Sequence, residues 1–234
     1  MEDKPPAYDE SGLNVLDPHD ARGVKSKYIT LLQEKALMKH LPNGSKDNLA
    51  VDLGCGFGRL SGVMSDKGWE VVGIEPTMDL LKYAQAHYSG VSFCRAKLPG
   101  LPLADESVDL LLIHNVLRSF MKMGCLDAIK GVGRYVSTGG CVAVVDNVRV
   151  NHPDFLKEED ITKIMENEGL RLDQVIPIRA GRWWMIYLIR YGFVPESWLE
   201  RIADYELKLR EKSHKRYRWQ YLNIVFLFRK AAGN

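Results

Sequence analysis

Cysteine is scarce in this chain. The four present, Cys55, Cys94, Cys125 and Cys141, stand far apart with no C-x-x-C pair. That spacing excludes a disulfide framework and the paired-thiolate zinc sites, and it suits a reducing cytoplasm. Cys94 and Cys141 fall in strand patterns and read as buried thiols. Long apolar runs are lacking too. A membrane span needs ~18 residues or more, and the longest run here, Trp183 to Ile189, stops far short. The opening MEDKPPAYDE has no apolar centre of the kind a secretory signal carries. Nor is there an excess of one charge: 32 Lys and Arg against 30 Asp and Glu leave +2. The whole-chain balance therefore predicts no DNA or other nucleic-acid partner and leaves any basic footprint local. Repeats and low-complexity stretches are missing. What remains is an ordinary globular composition, 46% hydrophobic and 26% charged over 234 residues, enough for one large domain with a sizeable core.

Strand and helix patterns alternate from Leu49 onward. Strands are expected at Leu49–Leu53, Glu70–Ile74, Val91–Cys94, Val108–Ile113, Gly140–Val145 and Arg171–Ile178. Helices are expected at about Gly58–Lys67, Thr77–His87, Asn115–Met121, Cys125–Val136 and Lys157–Asn167. Ahead of them, Lys25–Leu41 has helical spacing of Tyr28, Leu31, Leu32, Ala36 and Leu37. Residues 1–24 are acidic and proline-bearing, and read as an arm, mobile or folded over the site. Such alternation implies a parallel sheet with helices on both faces. A ligand is then expected at the carboxyl ends of the strands.

The stretch AVDLGCGFGRLSGVM, Ala50–Met64, organises the rest. A strand ends, Asp52 and the glycines Gly54, Gly56 and Gly58 make a tight turn, and a helix opens. Glycine lets backbone turn sharply or approach a ligand closely, and a helix start offers free N–H groups and the positive end of a dipole. The spacing is not the G-x-G-x-x-G of dinucleotide binders. It closely resembles motif I of class I S-adenosylmethionine (SAM) dependent methyltransferases. The second strand, EVVGIE, ends in Glu75, seventeen positions after Gly58, where an acid can bond both ribose hydroxyls. The resemblance implies that SAM is the cofactor. It implies that Asp52 holds the methionine end, that Gly54, Cys55, Gly56 and Gly58 pass under the cofactor, and that Glu75 takes the ribose. Pro76, Thr77 and Asn115 border it, and backbone near Ala96 and Lys97 takes the adenine. The acid that many relatives use for the adenine amino group is here Ala96, followed by the Leu101-Pro102 turn. Lys25 and Tyr28 of the N-terminal segment are further candidates for cofactor contact.

The same resemblance implies a Rossmann-like α/β fold with a seven-stranded, mostly parallel sheet whose last strand, Tyr221–Phe228, runs antiparallel. Relatives join the last two strands by a hairpin. Here residues 180–218 intervene with helical patterns at Arg182–Tyr191 and Pro195–Arg216, expected to form an inserted cap on a single domain. The core is then 47–179 and 219–231.

The strand-four end reads Ile113-His114-Asn115-Val116-Leu117-Arg118, not the N/D-P-P-[YF] motif of enzymes that methylate nucleobase or amide nitrogen. His114 at this place is a candidate base for an acceptor hydroxyl. Asp146 is a second. Asp146-Asn147 resembles the metal pair of catechol O-methyltransferases, but His114 stands where their third oxygen ligand lies, so no metal is expected. In the cap, Trp183, Trp184, Met185, Tyr187 and Leu188 suit core or a homodimer interface. Lys208, Arg210, Lys212, Lys215, Arg216 and Arg218 suit a solvated face, an anionic acceptor or a membrane surface. The expected activity is methyl transfer to an oxygen of a small-molecule, glycan or lipid-linked acceptor. The alternatives are an RNA methyltransferase using residues 208–218, and a SAM-binding regulatory subunit without turnover.

Overall fold

The computed structural model describes residues 20, 22–181, 183–213 and 221–231. Most of the N-terminal arm, residues 1–19 and 21, and the basic positions Lys215, Arg216 and Arg218 thus lie outside the described residues, as does Arg182. Seven strands form one sheet: β1 (Leu49–Leu53), β2 (Glu70–Ile74), β3 (Ser92–Cys94), β4 (Val108–His114), β5 (Val136–Val148), β6 (Leu170–Ala180) and β7 (Leu222–Lys230). Their order is β3-β2-β1-β4-β5-β7-β6. All neighbours pair in parallel except β7, which runs antiparallel to both β5 and β6. The carboxyl ends of β1, β2, β4, β5 and β6 therefore share one edge with the start of β7.

Side chains alternate across each strand, and this divides the core in two. Ala50, Leu110, Leu112, Cys141, Ala143, Val145, Val225 and Leu227 face one layer. Val51, Leu111, Ile113, Val142, Val144, Ile224 and Phe226 face the other. The first layer holds α1 (Val24–His40), α2 (Arg59–Asp66), α6 (Trp184–Arg190) and α7 (Leu199–Ser213). The second holds α4 (Val116–Lys122) and α5 (Glu158–Glu166). The remaining helix, α3 (Met78–His87), packs on β3. Capping sets two of the starts. Asp20 accepts the N–H groups of Lys25 and Ser26 at 3.2 and 2.8 Å. Asp160 reaches back to the Lys157 N–H at 2.9 Å, with Glu158 and Glu159 also in the first turn of α5.

Two expectations change. No α-helix covers Cys125–Val136. Two 3₁₀ turns, Leu126–Ile129 and Val132–Tyr135, stand there. Gly131 at φ 80° breaks the segment between them, and Val136 already belongs to β5. The helices of residues 180–218 are also not a detachable cover. Trp183, Ile189, Leu199 and Ala203 are core residues alongside Tyr28, Leu32 and Leu37 of α1. Salt bridges Lys35–Asp204 (3.0 Å), Lys35–Glu200 (3.4 Å) and Lys39–Glu211 tie the outer surfaces of α1 and α7.

Candidate functional site

The loop after β1 is fixed to the end of β2, since Ile74 O accepts the N–H groups of both Gly54 (2.8 Å) and Cys55 (3.0 Å). Gly54, Gly56 and Gly58 have φ of 74°, 55° and 84°, the left-handed region that side chains disfavour. A Cβ on Gly54 would lie 2.6 Å from Val116 Cγ2, whereas a Cβ on Gly56 would meet nothing within 4 Å. The turn thus packs tightly against α4 at Gly54 and lies open at Gly56. Beside the opening, the Glu75 carboxylate accepts Gly56 N–H at 3.2 Å through Oε2 and Thr77 N–H at 3.0 Å through Oε1. Two oxygens offer about four lone-pair sites, so room is left for two hydroxyl donors. Pro76 O accepts from Arg95 Nε at 3.0 Å. Ala96 and Lys97 follow β3 on the same edge. An open glycine turn, a carboxylate with spare acceptor capacity and the start of α2 fit a nucleoside cofactor with ribose hydroxyls.

A second set of groups meets at the ends of β4, β5 and β7. Arg59 NH2 donates to Gln33 Oε1 at 2.7 Å. Arginine cannot accept, so this bond fixes the Gln33 amide. Its Nε2 then donates to Asn223 Oδ1 at 3.1 Å and toward His114 Nε2 at 3.2 Å. Asn223 Nδ2 donates to Asp146 O (3.3 Å) and Asn147 Oδ1 (3.2 Å). Asn147 Nδ2 faces Asn115 Oδ1 at 3.5 Å, and Asn115 Nδ2 lies 3.1 Å from His114 Nε2. Two branches of this amide network, through Gln33 and through Asn115, end on His114 Nε2, and a side branch from Asn223 ends on the Asp146 carbonyl. The imidazole is therefore neutral with its proton on Nδ1. Burial and then Arg59 push its pKa down to about 3. Burial also lowers the pKa of Arg59, which Glu34, Asp52 and Tyr88 oppose. Asn115 itself sits at φ 57° as the N-cap of α4, a strained position for a residue with a side chain.

Other sequence candidates lie elsewhere. The expected base role of His114 meets an occupied lone pair and a pKa far below the ordinary imidazole value. Asp146 points to the opposite face, where Oδ2 accepts Arg118 N–H (3.0 Å) and Oδ1 accepts Asn147 N–H (2.7 Å). It braces the start of α4 rather than facing an acceptor, and burial raises its pKa to about 6. Asp52 is turned onto Ser61, whose hydroxyl donates to Oδ2 at 2.6 Å. Burial raises its pKa to about 6, and its Oδ1 has no hydrogen-bond partner among the described residues. Tyr28 is wholly buried and donates its hydroxyl to Glu206 Oε2 at 2.8 Å, because a buried carboxyl on α7 needs a donor. That geometry leaves it no cofactor contact. Arg210 is fully buried under Trp183 rather than on a solvated face. Among the described residues no group of His, Cys, Asp and Glu is arranged to hold a metal. Sequence reading missed Gln33, Arg59 and Asn223. Their signal was a polar side chain on an otherwise apolar helix face or strand, as in Asn223 within YLNIVFLF.

Residues 51–144 match the family model described as a methyltransferase domain. Over 93 residues the chain is 32% identical to the malonyl-[acyl-carrier protein] O-methyltransferase of Pseudescherichia vulneris, covering 40% of this chain and 36% of that protein. The chain spans about a third or less of the length of the curated relatives it matches. Among solved structures, geranyl diphosphate methyltransferase in complex with SAM gives a TM-score of 0.61 at 13% identity, covering 96% of both chains. The [4+2]-cyclase SpnF gives 0.61 at 16%, covering 86% of this chain and 82% of its own. The chain is thus similar to the class I SAM-dependent methyltransferases over residues 51–144 and shares their fold, and SAM is the cofactor of that class. A cyclase on the same fold means that the reaction has to be argued from the site.

Proposed function

We propose that the protein transfers a methyl group from SAM to an oxygen of a small-molecule, glycan or lipid-linked acceptor. The observation that carries this reading is the placement of two different half-sites on one edge of the sheet: the open glycine turn with Glu75, and the amide network ending on His114. SAM supplies a methyl group already activated by its sulfonium. Glu75 would hold the ribose hydroxyls, with Gly54, Cys55, Gly56 and Gly58 beneath. Pro76, Thr77, Ala96, Lys97 and Asn115 would border the rest. The residues at the ends of β4, β5 and β7 have the separate task of holding the acceptor oxygen in line and excluding water. His114 serves there as a positioning residue, a neutral acceptor held by Gln33 and Asn115. An imidazole that binds a proton so weakly is a poor general base near neutral pH. This favours an acceptor oxygen that arrives ionised or ionises readily.

The lipid-linked option draws on the surface. Trp184, Tyr187, Tyr191, Phe193, Trp198 and Tyr205 are all exposed in α6, α7 and the segment between them, and amphipathic rings suit a membrane surface or a partner. The RNA alternative, which uses the basic run of residues 208–218, loses Arg210 from that run, because Arg210 is buried. Calorimetry with SAM, followed by methyl-labelled SAM offered with anionic small molecules, lipid extract or RNA, tests the reading. Label entering only RNA supports the nucleic-acid alternative. Tight SAM binding with no labelled product supports the regulatory subunit. No SAM binding refutes the proposal.

A further inference from the structure

The carboxyl edge continues past the amide network to the end of β6, where Arg179 pairs across the sheet with Asn223. Arg179 is 5% exposed. Its NH2 donates to Tyr221 Oη at 3.0 Å, and the guanidinium lies 5.2 Å from the centre of that ring. Its Nε and Nη1 are buried and have no hydrogen-bond partner among the described residues. Among the described residues, no carboxylate oxygen comes within the 4.0 Å of an ion pair with it. Glu206, the nearby acid, feels the charge of Arg179 at a distance, but its oxygens bond other groups. Its Oε2 accepts from Tyr28, and its Oε1 accepts Ala180 N–H at 3.4 Å and faces Arg210 Nε at 3.8 Å.

A guanidinium cannot shed its proton to escape burial. A buried charge normally has a partner, because leaving it unpaired is costly. Here three N–H donors, one on Nε and two on Nη1, remain unused beside the group that orders His114. Tyr221 does not explain them, since a phenol bonded to NH2 carries no charge.

We propose that Arg179 is the anion-binding residue of the acceptor site, and that the acceptor carries a carboxylate or phosphate group. This rests on reading the ends of β4, β5, β7 and β6 as the acceptor side of a methyltransferase. Arg179 itself, on β6, is separated from the glycine turn by the strands between β1 and β6, so anion and cofactor binding can be measured separately.

The test uses the full chain and two probes, succinate and inorganic phosphate, each compared with sodium chloride at equal ionic strength. Thermal unfolding and calorimetry should show saturable stabilisation of the wild type by one probe, and the responsive probe tells carboxylate from phosphate. Arg179→Met should keep the wild-type Tm or exceed it, since replacing a buried charge with an apolar side chain of similar volume is often neutral or stabilising. It should lose about tenfold or more in anion affinity, as expected for charge-assisted hydrogen bonds. Arg179→Lys should retain part of the binding. SAM affinity should be unchanged in both variants. Three outcomes overturn the assignment: equal anion effects on wild type and Arg179→Met, no effect of either anion on the wild type, or a Tm loss of many degrees in Arg179→Met, which would make the residue a structural partner. Loss of SAM binding by the wild type would instead refute the methyltransferase reading and leave the anion result standing by itself.

Discussion

Glu75 has two separable jobs, and a pair of substitutions tells them apart. In the protein without cofactor its carboxylate accepts the N–H groups of Gly56 and Thr77, tying the glycine turn to the start of α3. With SAM bound, its spare lone pairs would take the ribose hydroxyls. Hydrogen bonds to a charged group are worth about 1.5–3 kcal/mol each. Two at the low end give about 3 kcal/mol, and at about 1.4 kcal/mol per tenfold this is a loss of about 100-fold in affinity. Glu75→Ala should show that loss by calorimetry. It should also lower the Tm of the cofactor-free protein by several degrees, because two backbone donors lose a charged acceptor at the same low-end value of about 1.5 kcal/mol each. Glu75→Gln keeps one acceptor oxygen but removes the charge, so most of the affinity should go while the Tm falls less. SAM affinity within about threefold of wild type in Glu75→Ala would refute the ribose assignment. A Tm unchanged in both variants would refute the clamp.

Gly56→Ala should fold with a modest Tm loss, since its Cβ meets no atom and the left-handed backbone costs about 1–2 kcal/mol. SAM binding should nevertheless fall by more than about tenfold, and unchanged calorimetry would show that the opening is not cofactor space. Nitrogen-15 NMR of His114 should report a proton on Nδ1 and a bare Nε2 throughout pH 5–8 (roughly the range in which a free imidazole titrates), and a titration near the ordinary value would refute the amide network. Unfolded, that imidazole takes a proton below about 6.5, but folded only near 3. Stability should therefore fall as pH drops through this window, and His114→Gln should remove that part of the Tm-against-pH curve. Asp146 has the opposite sign. Its folded pKa of about 6 makes its contribution full below about 4 and lost as pH rises through 6, so Asp146→Asn should flatten the slope on that side. Leu199→Ala, at a 2% exposed core position, should cost about 2–5 kcal/mol by denaturant unfolding, whereas Trp184→Ala, 61% exposed, should cost almost nothing. Equal effects would mean that residues 180–218 do not share the core.

The glycine turn and the acid beside it were legible because they are local. Gly54, Gly56, Gly58 and Glu75 belong to two consecutive strand ends, and their chemistry is written in backbone freedom and one acid. The sheet was legible for a similar reason, since alternation of strand and helix patterns constrains topology strongly. The misreadings share a cause as well. The segment Cys125–Val136 had apolar residues at helical spacing, but Gly131 takes a left-handed conformation that a helix cannot continue through. Arg210 stood in a basic run and was read by its neighbours in sequence, whereas in the fold it is buried beside Trp183 and Glu206.

The acceptor half is non-local, and that explains both what was missed and how it works. Gln33 comes from α1, Arg59 from the start of α2, His114 from β4, Asn147 from β5, Arg179 from β6 and Asn223 from β7. No pair of these is close enough in sequence to form a motif. Yet the direction of every hydrogen bond among the amides follows from one fact, that Arg59 can only donate. His114 looked like a base because a histidine at a strand end has the right chemistry in isolation. Three-dimensional context removes that chemistry by burying the ring, placing a cation near it and aiming two amide donors at its free nitrogen. A site assembled this way has lost the means to take a proton but kept the means to hold an oxygen in place. On the proposed reading the chemical demand then shifts to the acceptor, which would bring its own negative charge, and the arginine with unused donors on the neighbouring strand would suit such an acceptor.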